Sequence, residues 1–121
     1  SILASKLGAA LIYALDHEEW AYKNCKENCQ LNHVQNVEAV LGDESKFPSH
    51  QFDIILANIN RNIISRNFLK LAQIMKPNAL LFISGFLTED IEYLLGIARN
   101  LSLKRVMQME KDGWVCILLS S

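Results

Sequence analysis

The sequence predicts an α/β fold: a three-layer αβα sandwich with a mostly parallel sheet and an antiparallel hairpin at the C-terminus. Short apolar runs alternate with longer segments whose apolar residues recur at helical spacing. Most of these runs end in a polar residue, and the last two are separated by Asp112-Gly113, a pair that favours a tight reversal. With 121 residues, half of them hydrophobic, the chain can bury one core, so we expect one domain.

The first predicted elements are a helix, a strand and a second helix. Residues 1–7 have apolar side chains at helical spacing and precede Gly8, which suits a left-handed cap. Residues 11–15 are a continuous apolar run, as expected of a strand buried on both faces of a parallel sheet. Residues 18–31 form a helix that begins with two glutamates, where the helix dipole favours negative charge. The apolar stripe that should pack on the sheet comprises Trp20, Ala21, Cys25, Cys29 and Leu31.

The rest of the chain repeats the alternation and then ends in a hairpin. Lys76-Pro77-Asn78 should stop a helix, because proline cannot continue one, and Thr88 can cap the next. Right-handed crossovers between the strands then give a doubly wound sheet, with one antiparallel strand added by the hairpin. The predicted elements are strands over 37–41 and 52–57, a helix over 63–75, a strand over 79–83, a helix over 89–100, and strands over 103–109 and 114–119.

Asp16, Asp43 and Asn58 each follow a predicted strand. Ligands bind outside the carboxyl ends of the strands in an open parallel sheet, so these three residues are the site candidates. Asp16 can accept hydrogen bonds from the two hydroxyls of a ribose, or it can cap the helix that follows; the two roles are compatible. Asp43 can accept from the amino group of an adenine, or it can simply close a turn after Gly42.

Asn58 is the most informative of the three candidates. An amide at a strand end can accept a hydrogen bond from an amine nucleophile and so orient its lone pair towards a transferable methyl group. Transfer of a methyl group from a sulfonium is an in-line displacement that needs alignment, a neutral amine and a dry pocket, but no nucleophilic side chain. The alternative is a buried amide that satisfies loop backbone.

Composition and charge exclude several classes of protein. The net charge of -1 gives no general cationic field, so we expect no direct binding to nucleic acid. No apolar stretch is long enough to span a membrane, and three cysteines favour free thiols in a reduced, cytoplasmic setting. Cys25 and Cys29 stand one helical turn apart, but His33 is the only further candidate nearby, so we expect no metal site.

Taken together, several segments resemble ribosomal protein L11 methyltransferases along nearly the whole chain. The most specific is Asp53 to Ile59, followed by Lys76-Pro77 and Ser84-Gly85, and Asp112-Gly113-Trp114-Val115 is similar to the last hairpin of that family. The other matching segments are Lys6-Leu7-Gly8-Ala9, the strand end at Asp16, Asn24 to Asn32 and Leu41-Gly42-Asp43.

The resemblance implies a Rossmann-like S-adenosylmethionine-dependent methyltransferase that methylates amino groups of ribosomal protein L11. It implies that Asp16 binds the ribose of S-adenosylmethionine and that Asn58 lies at the methyl-transfer centre. Asp43, with Glu44, would lie near the adenine. The family's first strand, its glycine-rich loop and its N-terminal substrate-recognition domain are expected before Ser1, so residues 1–121 are interpreted as a partial domain. The Asp16 and Asn58 strands should then each have an apolar edge without a neighbouring strand.

Two other functions remain open from the sequence. The first is methylation of a different amine on a nucleic-acid base, another protein or a small molecule. A base would call for aromatic stacking near Asn58, whereas Asn60-Arg61-Asn62 follows and the next aromatic residue along the chain is Phe68 in the next helix. The second is a non-catalytic fragment with a methyltransferase fold.

Overall fold

The structure, a computed structural model, describes all 121 residues. They form two compact units, Ser1–Phe47 and Pro48–Ser121. The first unit contains α1 (Ile2–Lys6), β1 (Ile12–Asp16), α2 (Glu19–Leu31) and β2 (Val37–Leu41), followed by a 3-10 turn at Glu44–Lys46. The second unit contains β3 (Phe52–Asn58), α3 (Arg61–Gln73), β4 (Met75–Leu87), a 3-10 turn at Thr88–Asp90, α4 (Ile91–Asn100), β5 (Lys104–Lys111) and β6 (Trp114–Ser120).

In the first unit, β1 and β2 pair in parallel with α2 packed against them. Asn36, just before β2, ties this unit together: its amide nitrogen donates to Ala9 O at 2.6 Å and its oxygen accepts from Ser5 Oγ at 2.6 Å. The parallel register places Asp16 beside Leu41, so β1 and β2 end at the same edge of this sheet.

Two details of the first unit correct the sequence analysis. β1 is only half-buried rather than buried on both faces, because it pairs with β2 alone and its other edge has no strand. Cys29 is buried as predicted, but Trp20 and Leu31 are 69% and 76% exposed and do not join the packed stripe of α2. Burial raises the pKa of the Cys25 thiol, which lies beside Cys29.

The second unit contains a four-stranded sheet in the order β3-β4-β6-β5. β3 and β4 are parallel, and β6 lies antiparallel between β4 and β5. The predicted hairpin is therefore confirmed; Asp112 and Gly113 have φ values of 52° and 81°, as a two-residue turn with positive φ requires. The α/β fold with mostly parallel strands is confirmed as well. β3 is an edge strand, and its Ile54 and Leu56 are 57% and 67% exposed, as expected for a strand with one unpaired edge.

The core of the second unit lies between this sheet and the helices α3 and α4, which contact each other. α3 contributes Phe68 and Ile64, both fully buried, and α4 contributes Leu94. Full burial of a side chain of this size stabilises the folded state by about 1.5–3 kcal/mol. The fully buried side chains of the sheet are Leu81, Ile83, Ile117 and Leu119.

The helix predicted over 63–75 is shifted in the structure. It begins at Arg61, because the Asn60 side chain accepts from Ile63 N at 3.0 Å and caps it. It ends at Gln73, because Ile74 O accepts from Phe52 N at 2.8 Å and Met75 already pairs with Phe52. The strand therefore continues through Pro77 within an irregular stretch.

One polar side-chain contact links β4 to β3, and another lies at the start of α4. Lys76 Nζ lies 2.8 Å from Asp53 Oδ2, and this hydrogen bond holds the pKa of the Asp53 carboxyl below its usual range. At the start of α4, Thr88 is not the cap: Asp90 Oδ2 accepts from Leu87 N at 3.4 Å instead.

Candidate functional site

Asp16 and Asp43 lie at the carboxyl edge of the first unit. Asp16 ends β1, and its Oδ1 accepts from Glu18 N at 2.9 Å. Its side chain is still 48% exposed, which leaves accepting capacity on the carboxylate. Gly42 N donates to Asp16 O at 2.9 Å, so the loop that carries Asp43 begins directly beside Asp16. The structure thus brings these two predicted residues to one edge.

The turn after β2 accounts for the local role of Asp43. Its Oδ1 accepts from Ser45 N at 2.9 Å and caps the 3-10 turn at Glu44–Lys46. This is the turn-closing role considered from the sequence. Asp43 itself is exposed at this edge.

Asn58 ends β3 in the second unit. Its Oδ1 accepts from Ser84 Oγ at 3.1 Å, and Ser84 is its register partner on β4. Ile59 N donates to Ser84 O at 3.0 Å, so the backbone after Asn58 is fixed to the same strand. An amide oxygen has two lone pairs, so Oδ1 can accept one further hydrogen bond. The alternative of a buried amide is wrong, because Asn58 is exposed.

A glycine bulge shapes the sheet next to Asn58. Ser84 and Phe86 oppose Cys116 and Val115, consecutive residues of β6, so Gly85 is the extra residue of β4. Gly85 has a φ of 91°, and a Cβ there would lie 2.9 Å from Ile59 O and 3.0 Å from Asn58 Oδ1. Only glycine therefore permits the observed approach of β4 to the Asn58 loop.

A groove of about 960 Å³ opens in front of Asn58. One side is formed by residues 58–60 between β3 and α3, here called the Asn58 loop. The other side is the hairpin formed by β5 and β6. The indole of Trp114, 58% exposed, lines the hairpin side. The residues that line the groove are Asn58, Ile59, Asn60, Ser84, Gly85, Met109, Glu110, Lys111, Trp114, Val115 and Cys116.

Polar contacts connect the two sides of the groove. Arg61, directly after the Asn58 loop, lies 3.3 Å from Asp90 Oδ1 and 5.4 Å from the ring centroid of Tyr93. Thr88 N, beside Asp90, donates to Gly113 O of the hairpin turn at 3.2 Å. The short segment between β4 and α4 therefore links the loop that carries Asn58 to the hairpin that carries Trp114.

Trp114 is the residue that sequence reasoning about the site missed. No aromatic residue follows Asn58 closely along the chain, and Trp114 lies 56 positions later. The strand order brings it there, since β6 inserts beside β4 and begins at the edge where β3 and β4 end. The available signal was the Asp112-Gly113 turn, which fixes where β6 begins.

No group of three or more His, Cys, Asp or Glu side chains in the structure is placed to hold a metal ion. α2 and α3 have 13 residues each, and no helix has the length and hydropathy that spanning a bilayer requires.

Comparison with solved structures identifies the fold. The crystal structure of the ribosomal protein L11 methylase from Lactobacillus delbrueckii subsp. bulgaricus superposes with a TM-score of 0.92 at 22% identity, over 98% of this chain and 62% of that one. The crystal structure of the M. jannaschii tRNA m1G37 methyltransferase superposes with a TM-score of 0.79 at 15% identity, over 99% of this chain and 38% of that one. At these identities the likeness shows that this chain shares the Rossmann-like fold of those two structures.

Comparison of sequences identifies the family. The family model described as "Ribosomal protein L11 methyltransferase (PrmA)" matches residues 1–121. The curated ribosomal protein L11 methyltransferase of Phocaeicola vulgatus is 37% identical over 118 residues, which are 97% of this chain and 42% of that protein. That of Acetivibrio thermocellus is 35% identical over 119 residues, 98% of this chain and 38% of that protein. The chain thus spans about two fifths of these relatives and belongs to the ribosomal protein L11 methyltransferase family.

Proposed function

We propose that this chain forms the methyl-transfer centre and part of the cofactor site of an enzyme that N-methylates amino groups of ribosomal protein L11, with S-adenosylmethionine as the methyl donor. The observation that carries the proposal is Asn58, an exposed strand-end amide whose oxygen is fixed by Ser84 in the groove. The family supports the substrate, because the relatives that this chain matches are named as L11 methyltransferases.

The role proposed for Asn58 is to align the substrate amine with the methyl group that it receives. With one lone pair of Oδ1 held by Ser84, the other can accept an N–H of the substrate amine and turn its lone pair towards the methyl group. The bound S-adenosylmethionine would supply a sulfonium methyl group that is already activated for displacement. Ile59 and Val115 contribute apolar surface to the groove, which favours the neutral form of the amine that must react.

Asp16 and Asp43 are proposed to hold the nucleoside part of the cofactor. Both lie where parallel strands end, and the exposed Asp16 carboxylate retains accepting capacity for ribose hydroxyls. Asp43, with Glu44, would accept from the adenine amino group. We also propose a cytoplasmic location, which the three free cysteines favour.

A second candidate function is methylation of an amine on a nucleic-acid base. Trp114 favours it, because the aromatic surface that a flipped base would stack on lies in the groove after all. The charge of the groove argues against it. Lys111 is its one cationic residue, and the neighbouring Arg61 is already paired with Asp90, whereas phosphate contacts require several free lysines or arginines.

The test uses a chimera, because the chain spans 42% of the Phocaeicola vulgatus relative. In the chimera, residues 1–121 replace the matching segment of that relative. We expect calorimetric titration to detect S-adenosylmethionine binding and the chimera to transfer methyl groups to ribosomal protein L11. A folded chimera that binds S-adenosylmethionine but methylates only RNA would favour the second candidate. A folded chimera that binds none would favour a non-catalytic fragment.

Replacing Asp16 by alanine in the chimera should weaken S-adenosylmethionine binding. The ribose hydroxyls would lose their acceptor, a loss of about 1–3 kcal/mol, or roughly 5- to 150-fold in Kd. The backbone N–H of Glu18 would also lose its partner, so Asp16→Asn, which keeps one acceptor oxygen for that turn, is the matched variant. Calorimetry on both variants checks the prediction. An unchanged Kd in Asp16→Ala would remove Asp16 from the cofactor site.

A further inference from the structure

An ion pair joins the start of α3 to the start of α4. Arg61 is the first residue of α3, and its Nη1 lies 3.3 Å from Oδ1 of Asp90, which directly precedes α4. The Asp90 side chain is only 16% exposed. A carboxylate buried to this degree needs a partner, because the loss of its hydration is otherwise uncompensated. This pair therefore differs from the pair of Glu92 and Arg99 on α4, in which both side chains are largely exposed.

The helix dipole disfavours a cation at the position of Arg61. The N-terminal end of a helix has partial positive charge, and the first turn of α3 contains no acidic residue. The contacts of the guanidinium with Asn62 Oδ1, at 3.1 Å and 3.2 Å, stay within α3. Its other contacts are with Asp90 and with the ring of Tyr93, whose centroid is 5.4 Å from the guanidinium carbon. The partners that favour Arg61 at this position therefore include residues of a different helix start.

The Asn58 loop is held at two points. Ile59 N donates to Ser84 O of β4 at 3.0 Å, which fixes the middle of the loop. Arg61 directly follows the loop, and its ion pair with Asp90 fixes that end. Because Asn58 Oδ1 accepts from Ser84 Oγ at 3.1 Å, a shift of the loop would change the position of this amide relative to β4.

Asp90, the acceptor for Arg61, is itself fixed to the sheet. Its Oδ2 accepts from Leu87 N at 3.4 Å, and Leu87 is the last residue of β4. Leu87 pairs with Trp114 of β6, so this backbone belongs to the antiparallel ladder. Arg61 is therefore held against a point that the sheet determines.

We propose that Arg61 is a positioning residue for methyl transfer: through its ion pair with Asp90 it holds the Asn58 loop so that the Asn58 amide meets the amine. Arg61 is not among the residues that line the groove, so it acts through Asn58. The inference rests on the proposed function for the reaction, but the position of the amide can be measured without any reaction. A displaced acceptor loses alignment rather than binding, so the effect is on kcat.

Kinetics of the chimera test the pair by a double-mutant cycle. Arg61→Met removes the cation, Asp90→Asn removes the anion, and the double variant removes both. We expect each single variant to lower kcat about tenfold, with KM for ribosomal protein L11 and Kd for S-adenosylmethionine within about threefold. The double variant should also lose about tenfold, whereas independent roles would multiply to about 100-fold. A raised KM in Arg61→Met with no effect of Asp90→Asn would mean that Arg61 contacts the substrate, and would overturn the proposal.

Two variants on the same helices are the matched controls. Arg66→Met removes an exposed cation of α3, and Glu92→Gln removes the acidic member of the exposed pair on α4. Both should keep kcat within about twofold, because exposed charges of this kind contribute little. A loss in Arg66→Met as large as that in Arg61→Met would assign the effect to the charge of α3 and would overturn the proposal.

NMR of the chimera with isotope-labelled asparagine shows whether the amide moves. Asn58→Ala identifies the side-chain signal of Asn58. We expect Arg61→Met, Asp90→Asn and their double variant to shift this signal, and Arg66→Met to leave it in place. An unmoved signal in the folded variants would overturn the proposal even where kcat falls. If Arg61→Met does not fold because it leaves the Asp90 carboxylate unpaired, the double variant, which has neither charge, decides instead. If the unsubstituted chimera folds but methylates nothing, the proposed function fails, while the signal still decides on Arg61.

Discussion

Replacing Asn58 by alanine should lower kcat of the chimera by about 100-fold or more at saturating S-adenosylmethionine. The variant loses the acceptor that orients the amine, and a misaligned in-line displacement loses about this factor for a displacement of 1 Å. Asn58 is exposed and lies at a strand end, so the substitution opens no cavity in the core. The expected loss is therefore in turnover, with S-adenosylmethionine Kd and melting temperature nearly unchanged.

Two further variants isolate the role of the Asn58 amide. Asn62→Ala makes the same substitution four residues later, where the side chain is exposed and accepts only from Arg61, and should keep full activity. Ser84→Ala removes the donor that fixes Asn58 Oδ1 and should lower kcat by a smaller factor, because the amide keeps its acceptor but loses its orientation. Single-turnover rates measure all three. If Asn58→Ala methylates at the original rate, Asn58 has no part in the transfer.

The elements that could be predicted from the sequence are those determined by local pattern. A few neighbouring residues determine the apolar runs of β2 and β3 and the Asp-Gly turn. The predicted positions of these elements were correct to within one residue. The end of α3 was not predictable in this way. Ile74 leaves the helix because its carbonyl accepts from Phe52, a partner 22 residues earlier.

The same distinction applies to the candidate site. Asp16, Asp43 and Asn58 were found because each follows its own strand directly. Trp114 and the tight approach at Gly85 depend on which strands are neighbours, and a single sequence does not state that β6 lies beside β4. The exposure of Trp20 likewise depends on what covers α2, which helical periodicity alone does not specify.

Replacing Gly85 by alanine should damage both folding and catalysis. The residue would keep a φ of 91° that L-residues rarely adopt, at roughly 1–2 kcal/mol. Its Cβ would also press on Ile59 O at 2.9 Å and on Asn58 Oδ1 at 3.0 Å. The backbone at Ile59 cannot move away cheaply, because Ile59 N donates to Ser84 O of β4. We expect the melting temperature to fall by several degrees and kcat to fall at least tenfold, because the Asn58 loop is displaced.

Gly113→Ala separates the two causes within the same unit. Gly113 also has positive φ, 81°, but a Cβ there meets nothing within 4 Å, so this variant carries the backbone strain alone. Calorimetric unfolding should therefore show a larger loss for Gly85→Ala than for Gly113→Ala, and only Gly85→Ala should displace the Asn58 side-chain amide signals in NMR spectra. Equal losses in the two variants, with the Asn58 signals unmoved, would mean that the close approach of β4 does not position the candidate catalytic amide.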